Sequence, residues 1–208
     1  MKIKNIINVC KSTGMLVILE GERCQWIGDG AAFYPLHGLP EFDEETICGT
    51  FDISDAQAEK MLFKHYSELP KEISFQDFGH NKEIPVGEPL FTFIYGGKKV
   101  CAYETPAGVA FIDTKHFTPF ADIDNRDLDL YARYSTEDKL YFVAKMGMML
   151  VGVITPIEII DEELVQRLEK FLYLFRIELL NRQPPEEPEG DEQLSAFDDE
   201  DDDEDSDE

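Results

Sequence analysis

Apolar and polar positions follow the period of a β-strand, or form short apolar runs, along much of the chain between residues 15 and 154. The dipeptides Asp29-Gly30 and Gly96-Gly97 separate such segments, and both are typical of tight hairpin turns because their residues tolerate positive φ. The pattern therefore predicts antiparallel β-hairpins. The predicted strands cover residues 15–19, 24–28, 31–34, 46–53, 90–95, 98–103, 107–114, 128–135, 140–145 and 148–154.

Two segments near the N-terminus have apolar residues at helical spacing. Residues 2–12 predict a short N-terminal helix, and Gly14 can end it by supplying a left-handed residue. The segment Ser54-Asp55-Ala56-Gln57 has the composition of a helix cap, so a middle helix is predicted from there to Tyr66. Leu69-Pro70 follows as its stop.

A long helix is predicted before the C-terminal tail. Thr155-Pro156-Ile157-Glu158 combines a capping residue, a proline at the first helical position and a glutamate three residues after the cap. Between Asp161 and Arg182 one broad apolar stripe follows, formed by Leu164, Leu168, Phe171, Leu172, Phe175 and Leu179. We expect this stripe to pack on a sheet, the alternative being a helix that binds a partner or dimerises.

Together these elements predict an α+β fold of antiparallel β-hairpins with helices packed on sheet. Residues 70–89 are rich in Pro and Gly and form a candidate linker. The predicted organisation is an N-terminal α+β unit at 1–69, a β-hairpin unit with the long helix at 90–183, and a tail at 184–208. The hairpin pattern around Gly30 recurs 78 residues later around Gly108, which raises the hypothesis of two pseudo-repeated halves.

The charge of the chain is unevenly distributed. Acidic residues outnumber basic ones 44 to 19, for a formal charge of −25. Residues 184–208 contain 15 acidic and no basic residues, so residues 1–183 hold 29 acidic and 19 basic residues and a charge of −10. This balance argues against direct binding of nucleic acid through a broad basic surface. Self-repulsion and the shortage of apolar side chains predict a disordered tail.

Neither a secretory signal nor a membrane span is predicted. The basic N-terminus lacks a small-residue cleavage site, and the longest apolar run, residues 146–157, is shorter than the roughly 20 residues that a transmembrane helix requires. The cysteines and histidines form no Cys-x-x-Cys or His-x-x-x-His pair, so we expect reduced core thiols, no metal, no cofactor and a cytoplasmic location. These cysteines are Cys10, Cys24, Cys48 and Cys101.

The predicted folded region contains one three-residue match to a catalytic pattern. Asp113 and Lys115 follow a predicted strand with the acid-x-Lys spacing of metal-dependent nucleases. Such a site needs another carboxylate, for which Glu104 across the turn is the nearest candidate. An exposed strand end without catalysis is the favoured interpretation. Trp26 and Tyr34 are expected in the core, with a pocket lining as the alternative, because they lie in a pair of strands.

The acidic tail contains a short apolar motif, Gln193-Leu194-Ser195-Ala196-Phe197. It resembles the bacterial sliding-clamp-binding motif, which reads Gln-Leu, then Ser or Asp, then Leu-Phe. The resemblance implies that Gln193 hydrogen-bonds at a pocket rim, that Leu194 and Phe197 fill apolar pockets, and that Ser195 occupies the Ser or Asp position. Ala196 replaces the usual second Leu, so weaker binding is expected. The alternatives are a contact with the protein's own body, or no contact.

Three further segments carry a likeness to known proteins: Glu20-Gly21-Glu22-Arg23-Cys24-Gln25-Trp26-Ile27-Gly28-Asp29-Gly30, Tyr34-Pro35-Leu36-His37-Gly38-Leu39-Pro40 and Phe117-Thr118-Pro119-Phe120-Ala121-Asp122. Through them most of residues 1–182 resembles an uncharacterised protein family found in phages and prophages of low-GC Gram-positive bacteria. The resemblance implies a phage context in the bacterial cytoplasm. It implies no activity and no catalytic residues.

These observations favour a non-enzymatic phage accessory protein. We expect it to bind a DNA-handling protein, with the sliding clamp as the candidate, through residues 193–197 and the polyanionic tail. Inhibition by mimicry of DNA charge is one mechanism for such binding. A second hypothesis assigns function to the folded domain, as an inhibitor of a host defence nuclease or a replication scaffold, with a solubilising tail. A third is a metal-dependent nuclease that uses Glu104, Asp113 and Lys115.

Overall fold

The computed structural model describes residues 2–78, 83–124, 127–159 and 162–182. Its contacts divide the chain into two units, Met1–Ile159 and Ile160–Glu208. The described residues form eleven strands, four α-helices and one 3₁₀ helix, and the α+β class is confirmed.

The helices are α1 (Ile3–Thr13), α2 (Glu44–Thr50), α3 (Asp55–Ala58), the 3₁₀ helix (Thr114–Phe120) and α4 (Glu162–Arg182). The strands are β1 (Met15–Glu20), β2 (Gln25–Gly28), β3 (Ala32–Pro35), β4 (Leu62–Tyr66), β5 (Ile84–Val86), β6 (Phe91–Tyr95), β7 (Lys98–Thr105), β8 (Gly108–Asp113), β9 (Leu128–Tyr134), β10 (Leu140–Met146) and β11 (Met149–Ile154). The N-terminal helix ends as predicted at Gly14, whose φ is 71°.

Two sheets organise the first unit. Eight strands form one sheet in the order β4-β1-β2-β3-β11-β10-β9-β5, and β6, β7 and β8 form a second, three-stranded sheet. All pairs are antiparallel except β1 with β4. The predicted units at 1–69 and 90–183 contribute strands to the same large sheet, which β3 and β11 join. The hairpin patterns around Gly30 and Gly108 belong to different sheets.

The two faces of the large sheet belong to different apolar clusters. In β1, Leu16 and Ile18 contribute to one cluster, whereas Val17 and Leu19 contribute to the other, as the alternating side chains of a strand require. The first cluster also includes α1, the 3₁₀ helix and the three-stranded sheet. The second is covered by residues 67–78, which we call the strap, with Phe75 buried against Trp26 and Phe33.

The strand predicted at residues 46–53 is wrong, because this segment contains α2. The side chain of Asp43 accepts a hydrogen bond from the Thr46 amide, and the Thr46 hydroxyl accepts one from the Asp43 amide, both at 2.8 Å. Glu44 and Glu45 occupy the first turn, where negative charge stabilises the helix dipole. A local capping signal therefore outweighs the β-branched content of the segment.

The middle helix predicted from residue 54 to Tyr66 is reduced to the four residues of α3. Its predicted cap at Ser54 and Gln57 is present. The chain then leaves the helical path, because Leu62 donates a backbone hydrogen bond to Gly14 at 2.8 Å and β4 pairs in parallel with β1. The distant strand β1 thus overrides local helical spacing.

The long helix begins later than its predicted cap. The amide of Thr155 donates to the carbonyl of Ala31, and that of Ile157 donates to the carbonyl of Phe111, both at 2.8 Å. These bonds attach residues 155–157 to other elements of the first unit, and α4 begins at Glu162.

In the second unit, α4 itself confirms the predicted long helix. None of its residues is buried, and in the apolar stripe expected to pack on a sheet every residue except the half-buried Leu164 is exposed. The predicted tail at 184–208 lies outside the described residues.

Candidate functional site

Asp29 lies in the turn between β2 and β3 and is the centre of a buried polar cluster. Its Oδ1 atom accepts hydrogen bonds from the amides of Ala31 and Ala32, at 3.1 and 3.0 Å. The tight turn depends on Gly30, whose φ of 88° favours a residue without a Cβ atom. The turn that the Asp-Gly dipeptide predicted therefore also fixes the carboxylate of Asp29.

The second carboxylate oxygen of Asp29 contacts three side chains that belong to other elements. Oδ2 is 3.1 Å from His116 Nε2, 3.3 Å from Lys115 Nζ and 3.3 Å from the Thr13 hydroxyl. The Nε2 atom of His116 donates to this oxygen, because a carboxylate oxygen only accepts, whereas Nδ1 is buried and has no partner among the described residues. The carboxylate thus links α1, the β2–β3 turn and the 3₁₀ helix.

Asp113 completes this group, which we call the Asp29 cluster and which consists of Thr13, Asp29, Asp113, Lys115 and His116. Asp113 Oδ1 caps the 3₁₀ helix by accepting from the Lys115 amide at 3.1 Å, and its Oδ2 is 3.6 Å from Lys115 Nζ. The acid-x-Lys spacing therefore produces a helix cap and an ion pair. Lys115 lies between two carboxylates.

Burial and hydrogen bonding act in opposite directions on Asp29. Burial by itself would raise the pKa of the carboxyl, but the hydrogen bonds from His116 and Ala32 and the charge of Lys115 outweigh it and hold the pKa of Asp29 well below its usual range. The pKa of the neighbouring Cys10 thiol is raised to about 12, mainly by burial and then by the negative charge of Asp29. The cluster therefore holds Asp29 as an anion and Cys10 as a thiol.

Solvent reaches little of the Asp29 cluster. The exposed fraction is 0 % for the Asp29 side chain, 2 % for His116 and 25 % for Lys115. Tyr34 seals the inner side, since its hydroxyl donates to the His116 carbonyl at 2.8 Å and the residue is fully buried. A catalytic carboxylate must contact substrate or a metal ion, so a sealed and fully paired Asp29 fits a structural role.

Glu104 does not lie beside Asp113 and Lys115. In the β7–β8 hairpin Glu104 is opposite Val109, whereas Asp113 is opposite Val100. Four residues along β8 separate the two positions, which corresponds to about 13 Å. Asp29, which sequence spacing did not connect with Lys115, occupies the neighbouring position instead. Among the described residues no group of three or more His, Cys, Asp or Glu side chains is placed to hold a metal ion.

A second buried charge network holds the strap against the sheet. Arg133 on β9 donates to the carbonyls of Ser74, Gln76 and Asp77 at 3.0 to 3.2 Å and to the carboxylate of Glu83. Lys145 on β10 donates to the other oxygen of Glu83 at 2.6 Å. Burial alone would raise the pKa of Glu83, yet the hydrogen bonds from Lys145 and Arg133 lower it.

The strap borders two clefts on the large sheet. One has a volume of about 920 Å³ and is lined by residues that include Trp26, Phe75, Arg133 and Tyr141. The other, of about 570 Å³, lies between the strap and β1. Trp26 is buried and also lines the first cleft, whereas Tyr34 belongs to the core alone. The prediction that both aromatic residues lie in the core is therefore correct, and the alternative of a pocket lining also applies to Trp26.

The described part of the second unit, α4, has many exposed apolar side chains. Phe171 and Phe175 stack on each other, with ring centroids 5.7 Å apart and planes at 25°, while both remain more than half exposed. An exposed helix with large apolar side chains is typical of an interaction surface. The predicted partner-binding residues Gln193, Leu194, Ser195 and Phe197 lie outside the described residues.

Sequence reasoning missed Asp29, His116, Arg133 and Glu83. Asp29 appeared only as a turn residue, and no spacing rule connects it with a histidine 87 positions away. Comparisons with protein families, with curated proteins and with solved structures found no match. No helix in the described part of the chain is long and apolar enough to cross a membrane.

Proposed function

We propose that this protein is a non-enzymatic phage accessory protein that binds a DNA-handling protein in the bacterial cytoplasm. The binding elements are the motif at residues 193–197 and the polyanionic tail that follows it. One observation carries the proposal: two large apolar residues, Leu194 and Phe197, interrupt a segment with 15 acidic and no basic residues. Short linear motifs have this composition, because apolar anchors are the specific part of an otherwise solvated chain.

The motif supplies specificity. Leu194 and Phe197 enter apolar pockets of the partner, Gln193 hydrogen-bonds at the pocket rim, and Ser195 occupies the Ser or Asp position of the motif. The sliding clamp is the partner we favour, because the order Gln-Leu-Ser-x-Phe resembles its ligands. Replacing the usual second Leu with Ala196 removes three carbon atoms at about 0.8 kcal/mol each, so affinity is lower than for a motif with both leucines.

The tail supplies electrostatic attraction. Ten of the eleven residues after Phe197 are acidic. An extended chain spans at most about 3.5 Å per residue, so these eleven residues reach about 38 Å from the motif. Within that distance they compete with DNA phosphates for a basic surface of the partner.

The described residues add a geometric argument. Ten residues, 183–192, separate the end of α4 from Gln193, and they span at most about 35 Å when extended. A partner held by the motif therefore stays within reach of α4. The Asp29 cluster gives no competing reason to propose catalysis, since its carboxylates are buried and paired.

Calorimetric titration of the sliding clamp from a low-GC Gram-positive bacterium tests the proposal. The full chain is expected to bind, whereas a chain ending at Arg182 and the variant Leu194→Ala/Phe197→Ala are expected to show no heat of binding. Pro188→Ala, a change in the same segment but outside the motif, is the matched control and retains binding. A variant with residues 193–197 in reverse order keeps composition and charge, and it fails to bind if the order of side chains matters.

Absence of binding by the full chain would refute the clamp as partner. Equal binding by the full chain and the chain ending at Arg182 would move the function to residues 1–182. Pull-down from infected cells with the full chain and with Leu194→Ala/Phe197→Ala then separates a different motif-dependent partner from a partner of the folded unit.

A further inference from the structure

The exposed apolar residues of α4 include a regular seam. Its members follow one another at intervals of three, four, three and four residues, and all are exposed: Val165, Leu168, Leu172, Phe175 and Leu179. Alternating intervals of three and four keep side chains on one line of an α-helix, and this spacing is typical of a helix that pairs with another helix.

We propose that α4 pairs with α4 of a second copy of this chain, in antiparallel orientation, to form a homodimer. The inference concerns a surface that the proposed clamp-binding motif does not include, so it does not depend on that function. In the antiparallel arrangement Leu172 packs against Phe175 of the second copy, and Leu168 packs against Leu179 of the second copy. The two-fold axis repeats both contacts.

Charge complementarity favours the antiparallel orientation. Glu169 and Arg176 each follow a seam residue directly, and they therefore lie on the same flank of the seam. Antiparallel pairing brings Glu169 beside Arg176 of the second copy, and symmetry makes two such pairs. In a parallel dimer each of these charges faces an apolar residue, Leu164 or Phe171, and has no partner of opposite sign.

The acidic tails favour the same orientation. Each chain continues from Arg182 into a segment with 15 acidic residues. In a parallel dimer both segments would leave from the same end, where their negative charges repel. In the register above Arg182 lies opposite Val165 of the second copy, so antiparallel pairing separates the two C-terminal ends by 17 residues of helix, or about 26 Å. This exceeds the Debye length of about 8 Å at physiological salt, so the repulsion is screened.

The available area is sufficient for a dimer. The two phenylalanines at 171 and 175 are each more than half exposed, and an aromatic side chain buries about 150–250 Å² when fully covered. With the aliphatic seam residues, each helix offers about 500–600 Å². Two copies together bury at most about 1,100 Å², which reaches the roughly 1,000 Å² that a specific interface needs.

Sedimentation analysis of the full chain in about 0.15 M salt tests the pairing. The expected mass of the wild type is twice 23.8 kDa. Leu172→Glu introduces a charge into the seam and is expected to weaken the dimer about a hundredfold or more. Leu174→Glu is the matched control, since Leu174 and Leu172 are 54 % and 53 % exposed but lie on opposite sides of the helix. Circular dichroism verifies that each variant keeps its helix content, and fluorescence of Trp26 verifies that its first unit is folded.

A charge cycle tests the orientation. Each single variant, Glu169→Arg or Arg176→Glu, brings two charges of the same sign together across the interface, and the two-fold axis repeats this pair. Each is expected to weaken the dimer about tenfold. The double variant Glu169→Arg/Arg176→Glu restores opposite charges and is expected to return to within about twofold of wild type. Leu194→Ala/Phe197→Ala, which removes clamp binding in the proposed function, leaves the dimer intact.

Three results would overturn this inference. They are a monomeric wild type at every concentration, an equal effect of Leu172→Glu and Leu174→Glu, and a double charge variant that is no tighter than the single ones.

Discussion

His116 Nε2 lies 3.1 Å from Asp29 Oδ2, although 87 residues separate the two in sequence. Both side chains are buried, and the contact joins the β2–β3 turn to the 3₁₀ helix that follows β8. Because an internal carboxylate is stable only when its oxygens are paired, this contact makes the position of each element depend on the other.

Asp29→Ala is expected to lower the free energy of unfolding by about 3 kcal/mol, because buried amides and the Lys115 ammonium lose their acceptor. Urea unfolding followed by the fluorescence of Trp26, the single tryptophan, measures the change. Asp129→Ala, an exposed aspartate on β9, is the control and is expected to change stability by less than about 0.5 kcal/mol. Similar effects of the two changes would contradict a structural role for the Asp29 cluster.

The stability of the protein is expected to fall in acid, partly through Asp29. Its pKa is lower in the folded state than the ordinary value of about 3.9, so below about pH 4 the unfolded chain binds a proton that the folded chain does not. The stabilisation is complete above that value and is lost as pH falls toward the folded-state pKa. Urea unfolding of the wild type and of Asp29→Asn between about pH 6 and 3 measures it, and the difference between them should shrink with acid. If the free energies of unfolding of the wild type and of Asp29→Asn differ by the same amount at every pH, Asp29 does not contribute to the loss of stability in acid.

Arg133→Met is expected to cost about 3 kcal/mol and to release the strap, since Glu83 and three strap carbonyls lose a buried donor. Hydrogen exchange should increase mainly at residues 67–78. Arg23→Met removes a mostly exposed ion pair with Asp77, 3.6 Å long, and is the control with an expected cost below about 1 kcal/mol. Unchanged exchange in the strap of Arg133→Met would refute the assigned role.

Two glycine-to-alanine substitutions are expected to change the stability of the protein in opposite directions. A Cβ atom at Gly28 would lie 1.7 Å from the Ala32 carbonyl oxygen, so Gly28→Ala should prevent the β2–β3 turn from closing. Gly49 lies in α2 with open space around it, and Gly49→Ala should stabilise by about 0.5–1 kcal/mol because alanine loses less backbone entropy. Thermal unfolding of both variants checks the signs.

Deleting residues 198–208 is expected to weaken binding of the proposed partner strongly at low salt and little at high salt. The reason is that the deleted residues contribute by charge, which salt screens. Calorimetry with the sliding clamp at about 0.05 M and 0.5 M salt measures the difference. An equal loss at both salt concentrations would remove the electrostatic part of the proposal.

The hairpins were predictable because their signals are local. The alternation of apolar and polar residues and the glycines of the turn predicted β6, β7 and the Gly96-Gly97 turn between them. The same pattern predicted β9, β10 and β11. The cap of α2 was also local, but Asp43 and Thr46 were not recognised as a capping pair. The change from helix to strand at β4 was not predictable, since it requires β1 as a partner.

The sequence by itself determined the α+β class, most strands, the long C-terminal helix and the unequal charge of the chain. These properties depend on residues within one turn or one strand of each other. Only the tertiary structure decided that Lys115 contacts Asp29 rather than Glu104, that Arg133 holds the strap, and that the residues of the apolar seam of α4 are exposed. The physical reason is that burying charges and covering apolar faces require partners that are distant in sequence, and local spacing does not specify them.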